Sequence, residues 1–148
     1  MKASLFIFMV TVLIYASPKI HAETNCSFSC TYKAHLKAIQ DRDFVSFDKT
    51  LPSKNELTLI LPNGKLSTDL AQYKQLIQGW FKQNTWQFNY QIKDVIERDN
   101  FGSVLLEVNY QQVAEDKTTH KSHYYLYLLF EKFEGRWQLL HDQNTLIK

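Results

Sequence analysis

The closing stretch of the chain holds its sharpest candidate for chemistry. In Trp137-Gln138-Leu139-Leu140-His141-Asp142-Gln143-Asn144, His141 shares alternation parity with Trp137 and Leu139. A regular strand would turn its imidazole to the same buried face as those two residues. Histidine titrates near neutral pH, which suits proton transfer or contact with an anion. The plainer reading is a hydrogen-bonded core histidine. Asp142 falls to the opposite face and reads as a surface or interface residue. Trp80, Tyr90, Tyr110 and Tyr124 could surround His141 as an apolar lining with a few hydroxyls, as in many small-molecule sites; ordinary core packing is the alternative. The candidate ligand-binding set is therefore Trp80, Tyr90, Tyr110, Tyr124 and His141, with His141 its catalytic member.

Other chemistries find little support. His35, His120 and His123 make no recognisable metal spacing, and no metal is expected. Ser122 and the other serines lack a nucleophile-elbow setting. There is no phosphate loop and no dinucleotide fingerprint, so no cofactor is expected. Cys26 and Cys30 are the two cysteines. Outside a reducing compartment a disulfide is the first reading. The i, i+4 spacing on a regular helix holds Cβ atoms about 5–6 Å apart, wider than a disulfide wants, so a bridge requires a distorted first turn. C-x-x-x-C is not the redox spacing, and no second pair of soft ligands makes it a metal site.

Residues 1–22 read as an export signal: Lys2, the uncharged apolar run Leu5–Ala16, Pro18 and a cleavage site at Ile20-His21-Ala22. The run is short for a transmembrane helix, which needs about 20 apolar residues; an uncleaved anchor is the alternative. The expectation is a periplasmic or secreted protein with no stable membrane insertion, in which residues 23–148 form one domain. The full chain carries 17 Lys+Arg against 15 Asp+Glu. Loss of Lys2 and Lys19 would leave it near neutral. With no basic cluster, nucleic-acid binding has no electrostatic footing.

These residues must be positioned by the elements around them. The apolar period of Phe28, Tyr32, Leu36 and Ile39 predicts a helix from about Ser27 to Asp41. A shorter one follows on Phe44, Phe47 and Leu51. Leu57–Leu61 and Lys65–Ser67 flank the Pro62-Asn63-Gly64 turn as a small hairpin. Thr68 or Asp69 caps a second long helix with Leu70, Tyr73, Leu76, Ile77 and Trp80 as its stripe. Four long strands follow. Trp86–Ile92 alternates cleanly, so it has one buried and one wet face. Ser103–Glu115 alternates too. His123–Phe133 is apolar at nearly every position and reads as central, covered on both faces. Arg136–Asn144 closes the chain. Helices can cover only one side of such a sheet, so a second copy of the chain is expected on the other, as a homodimer through the convex face.

The element order resembles the nuclear transport factor 2-like superfamily, with its SnoaL-like and ketosteroid-isomerase-like members. Three phrases carry the resemblance: Ile39-Gln40-Asp41-Arg42-Asp43-Phe44, Leu59-Ile60-Leu61-Pro62-Asn63-Gly64, and Gly135-Arg136-Trp137 through Leu140-His141 to Thr145. It spans roughly residues 30–145. It implies an α+β cone: a strongly bent antiparallel sheet wrapped around N-terminal helices, in the order α-α-β-β-α-β-β-β-β. It does not imply one activity, because the family includes isomerases, cyclases, dehydratases, transport factors, assembly domains and immunity proteins. Isomerase-type members keep a carboxylate base near the hairpin and second long helix. Here Leu57–Leu61 holds no acid, Asp69 reads as a cap, and Gln143 stands where related strands carry a second histidine. The first expectation is thus an exported pocket domain that binds a small apolar or amphipathic molecule, or a partner protein, without catalysis. The alternatives are a lyase or isomerase using His141 with a tyrosine hydroxyl, and an assembly or immunity module.

Overall fold

The structure is a computed structural model that describes residues 26–54 and 56–147. The export signal expected at residues 1–22 lies outside them. Ser27 caps the first helix, α1 (Phe28–Asp41), by accepting a hydrogen bond from the Cys30 amide at 3.2 Å. Arg42 ends it in the left-handed region, φ 55°, with its amide turned back to the Ala38 and Ile39 carbonyls. Asp43 then caps the one-turn α2 (Phe44–Asp48). The hairpin is shorter than its apolar letters suggest: β1 is Thr58–Ile60 and β2 Leu66–Ser67, joined by a turn with Gly64 at φ 80°. Asp69, not Thr68, caps α3 (Leu70–Phe81), its carboxylate accepting from the Ala71 and Gln72 amides. Cys26 and Cys30 are joined by a disulfide, their Cα atoms 5.5 Å apart; Cys26 precedes the helix, which provides the irregular first turn the bridge requires.

The four long strands are β3 (Trp86–Glu97), β4 (Phe101–Val113), β5 (Thr119–Phe133) and β6 (Arg136–Leu146). They pair in sequence as an antiparallel meander within a six-stranded sheet of order β2-β1-β6-β5-β4-β3. One pairing departs from the expected all-antiparallel sheet. β1 runs parallel to β6, with Leu59 opposite Asp142, so the sheet is mixed. The chain passes from β1 through a hairpin, a helix and three strands before β6, and arrives there in the same direction.

Alternation sorts the sheet into two faces. Trp86, Phe88, Val104, Leu106, Val108, Tyr124, Leu126, Leu128 and Phe130 are buried against α1, α2 and α3. Phe28 anchors α1 there, its ring within 6 Å of those of Tyr32, Phe130 and Trp137. On the other face Tyr125 and Tyr127 remain 40% and 37% exposed. The expectation that β5 is covered on both faces is thus met on one face only within a single chain.

Two bulges bend the sheet. The register of β3 on β4 slips between Ile92 and Asp94. That of β6 on β5 slips at Leu140: Phe130 opposes Leu139, and Leu129 opposes His141. A bulge places two residues opposite one and resets which face each later side chain takes.

Candidate functional site

The slip at Leu140 decides which residues reach the interior. Up to Leu139 the odd positions of β6 point inward. Beyond Leu140 the even ones do, so Asp142 and Asn144 enter the space between sheet and helices. His141 is therefore turned to the convex face, beside Leu129, where its Nε2 lies 3.2 Å from the Gln143 side-chain oxygen. The expected convergence of His141 with Trp137 and Leu139 does not occur, and Asp142, read as an outward residue, is 8% exposed and inside.

The space they enter is a cavity of about 670 Å³. Ile39 of α1, Phe47 of α2, Leu59 of β1 and Tyr73, Ile77 and Trp80 of α3 close it on one side; Phe88, Tyr110, Tyr124 and Leu126 form the sheet side. Of the aromatic residues expected at a site, Trp80, Tyr110 and Tyr124 line it. Tyr90 does not; it is half-buried beside Phe88, ring centroids 5.7 Å apart. Trp80 is held by a stack. The Arg42 guanidinium sits 4.1 Å over the Trp86 ring and donates to the Trp86 carbonyl, and Trp86 lies 4.4 Å from Trp80 at 21°. Trp80 Nε1 donates to the Tyr110 hydroxyl, which donates in turn to Gln112.

Asp142 is the chemical centre of the cavity. The Tyr73 hydroxyl donates to its Oδ2 at 2.9 Å. Asn144 Nδ2 donates to its Oδ1 at 3.0 Å and also to the Ile60 carbonyl of β1, which ties the parallel edge pair to the site. Burial raises the Asp142 carboxyl from 3.8 to about 6, although the bonds from Tyr73 and Asn144 and the nearby His141 act the other way. Burial, with the Asp142 charge, pushes the Tyr73 and Tyr124 hydroxyls well above the usual tyrosine range. Sequence reading missed Asp142, Tyr73 and Asn144. The consecutive pair Leu139-Leu140 in an otherwise alternating strand is the one written trace of the slip that admits them.

The remaining histidines have other surroundings. His35 is fully buried between Phe47 and Phe130. The Thr50 hydroxyl donates to the Phe47 carbonyl, so it accepts from His35 Nδ1 at 2.7 Å. That leaves Nε2 as a bare acceptor with no partner among the described residues. His123 pairs with Glu107 at 2.8 Å on the convex face. No group of three or more metal-ligating side chains occurs among the described residues.

No family model matches the chain, and no curated protein matches it in sequence. Solved structures do match its shape. A ketosteroid isomerase-like protein from Erwinia carotovora atroseptica superposes with a TM-score of 0.67 at 17% identity, over 86% of this chain and 98% of its own. A nuclear transport factor 2-like superfamily protein from Salmonella enterica gives 0.64 at 12% identity, over 80% and 87%. The calcium/calmodulin-dependent protein kinase II hub of S. rosetta gives 0.60 at 19% identity, over 79% and 92%. At these identities the likeness is one of fold: the chain has the nuclear transport factor 2-like fold.

Proposed function

We propose that the protein binds a small, largely apolar molecule in the cavity between sheet and helices, oriented by the Asp142 carboxylate. The observation that carries this reading is a carboxylate inside a mostly apolar cavity of about 670 Å³, a volume within the range of small-molecule sites. Burial makes the ionised carboxylate costly to the fold, so packing alone gives no reason for it. N-phenyl-1-naphthylamine, a neutral probe that fluoresces in apolar surroundings, tests the reading. Gly79 lines the cavity, and a Cβ added there meets nothing within 4 Å. Gly79→Phe should fill the space without unfolding α3. Uptake of the probe by the natural protein and its loss in Gly79→Phe are expected. No uptake, together with no ligand retained in native mass spectrometry of protein purified from its own host, would overturn the reading.

A second reading concerns assembly. The exposed convex-face tyrosines Tyr125 and Tyr127 support a homodimer through that face. The likeness to a kinase hub, and to the C. elegans kinase association domain, supports self-association more generally. The apolar run after Lys2 and the Cys26–Cys30 bridge support an exported, periplasmic or secreted protein. The mature N-terminus, read by mass spectrometry on exported material, should fall near Glu23; recovery with Met1 retained in a membrane fraction would refute export as a cleaved protein.

A further inference from the structure

Asp142 is the only charged side chain among the described residues that line the cavity; no lysine, arginine or histidine accompanies it. Its two oxygens receive Tyr73 and Asn144, one bond each. A carboxylate oxygen accepts two, so each retains a lone pair. The cavity is also lined by Phe47, Tyr73, Phe88, Tyr110 and Tyr124, aromatic rings of the kind that attract cations. The other polar groups that line the cavity, on Gln75, Gln83, Gln112, Ser122 and Asn144, are uncharged. Such a chamber repels anions, and beyond apolar burial it gives the polar end of a neutral ligand only hydrogen bonds.

From this we infer that the cavity selects a monocationic ligand: an apolar, preferably aromatic, body ending in a protonated amine, whose ammonium pairs with Asp142. The inference rests on the small-molecule reading above and adds the charge of the ligand. A carboxylic acid or phosphate of the same shape is excluded by like charge in a low-dielectric space. Pairing is coupled to protons, because the ammonium competes with H⁺ for the same carboxylate. The groups near Asp142 are Tyr73 from α3, Tyr124 from β5, and Asn144 and His141 on its own strand; β1 contributes Leu59. The two tyrosines stay neutral in the working range because burial raises them, so Asp142 is the cavity group whose charge changes there.

Competition against N-phenyl-1-naphthylamine with three probes of one shape tests the inference: 4-phenylbutylamine, 4-phenylbutan-1-ol and 4-phenylbutyrate. At pH 7.5 the amine should bind about tenfold or more tightly than the alcohol, the gain expected of a charge-assisted hydrogen bond, and the carboxylate should bind weakest. Asp142→Asn should erase the preference for the amine, bringing the amine and the alcohol to within about twofold of each other. Lowering the pH from 7.5 to 5 should shrink the amine's advantage in the natural protein and leave Asp142→Asn unchanged, which separates Asp142 from His141. If the alcohol or the carboxylate binds as tightly as the amine and Gly79→Phe still blocks it, the cavity is a binding site and the charge inference is wrong. If the natural protein takes up none of the four compounds, the charge inference is wrong, and if it also retains no ligand in native mass spectrometry the small-molecule reading fails with it.

Discussion

Two buried titratable residues oppose each other in this fold, and their opposition can be measured. Asp142 has a folded-state pKa near 6 against 3.8 when free. The folded protein therefore binds its proton more readily than the unfolded chain does, and this residue's contribution to stability falls as pH rises from about 4 to 6. Above pH 6 the whole penalty is in force. At 1.36 kcal/mol per pKa unit it amounts to roughly 3 kcal/mol at most. Asp142→Asn keeps the shape, and Asn can still accept from Tyr73. It should stabilise the protein at pH 7.5 by about 1–3 kcal/mol in urea unfolding, an advantage that disappears by pH 4. An equal loss at both pH values would show that the carboxylate is structural. His35 has the reverse sign. Burial lowers its pKa from 6.5 to about 3, so the unfolded chain takes up the proton first and stability is lost as pH falls below 6.5. The cost reaches about 2 kcal/mol at pH 5. His35→Phe, between Phe47 and Phe130, should remove that acid slope and leave the Asp142 slope visible alone. An unchanged pH profile in His35→Phe would mean that the imidazole is protonated in the fold.

At the scale of elements, the close approach of α1 to β4 depends on one missing side chain. A Cβ on Gly102 would sit 2.6 Å from the Phe28 ring. Phe28 is fully buried and held by Tyr32, Phe130 and Trp137, so it has no room to retreat. Gly102→Ala should destabilise the domain by about 1–3 kcal/mol, the usual cost of overpacking. Combining it with Phe28→Leu should recover part of the loss, because the two share one contact. Additive losses in the double variant would refute the clash. The elements themselves are largely readable in the sequence. Helical stripes, the Asn63-Gly64 and Glu134-Gly135 turns and the alternation of Trp86–Ile92 are local signals, and the elements form where they stand. The site is less readable, because it depends on a non-local event. The Leu139-Leu140 pair marks an irregularity in β6 but does not say which residue goes unpaired; that is settled where β6 meets β5, whose Phe130 and Leu129 take Leu139 and His141. One extra residue exchanges His141 for Asp142. Trp80, Tyr110 and Tyr124 were legible because they precede the slip or lie on strands without one. Tyr90 lies on the inward face as its parity says, yet the cavity ends before it, which parity cannot express. The parallel pairing of β1 with β6 is likewise a matter of where two distant segments meet.

At the scale of the whole molecule, the same slip gives the displaced histidine a different neighbourhood. On the convex face His141 is in register with Leu129, and Gln143 with Tyr127. Tyr127 opposes Leu105 and Leu129 opposes Ser103 on β4, and Ile96 of β3 extends the row beyond Ser103. This forms an apolar field of Leu105, Tyr127, Leu129 and Ile96 bordered by His141, Gln143 and Asp94, the last in register with Leu105. At one end stands the charged group Lys93–Glu107–His123, with Glu107 2.9 Å from Lys93 and 2.8 Å from His123. A field of this kind suits a two-fold contact between copies, in which one apolar patch covers its twin and a polar border surrounds them. The parity of β5 makes the test sharp. Tyr127→Glu changes the convex face alone and should give a folded monomer, with unfolding temperature little changed at low protein concentration. Leu128 is fully buried on the concave face, so Leu128→Glu should unfold the domain rather than dissociate it. His141→Glu should also weaken the dimer, since it adds charge at the border, while Asp142→Asn inside the cavity should leave the subunit number unchanged. Sedimentation velocity at micromolar concentration reads all four. A natural protein that sediments as a monomer there would refute the convex-face dimer, and a dimer that survives Tyr127→Glu would move the interface elsewhere on the molecule.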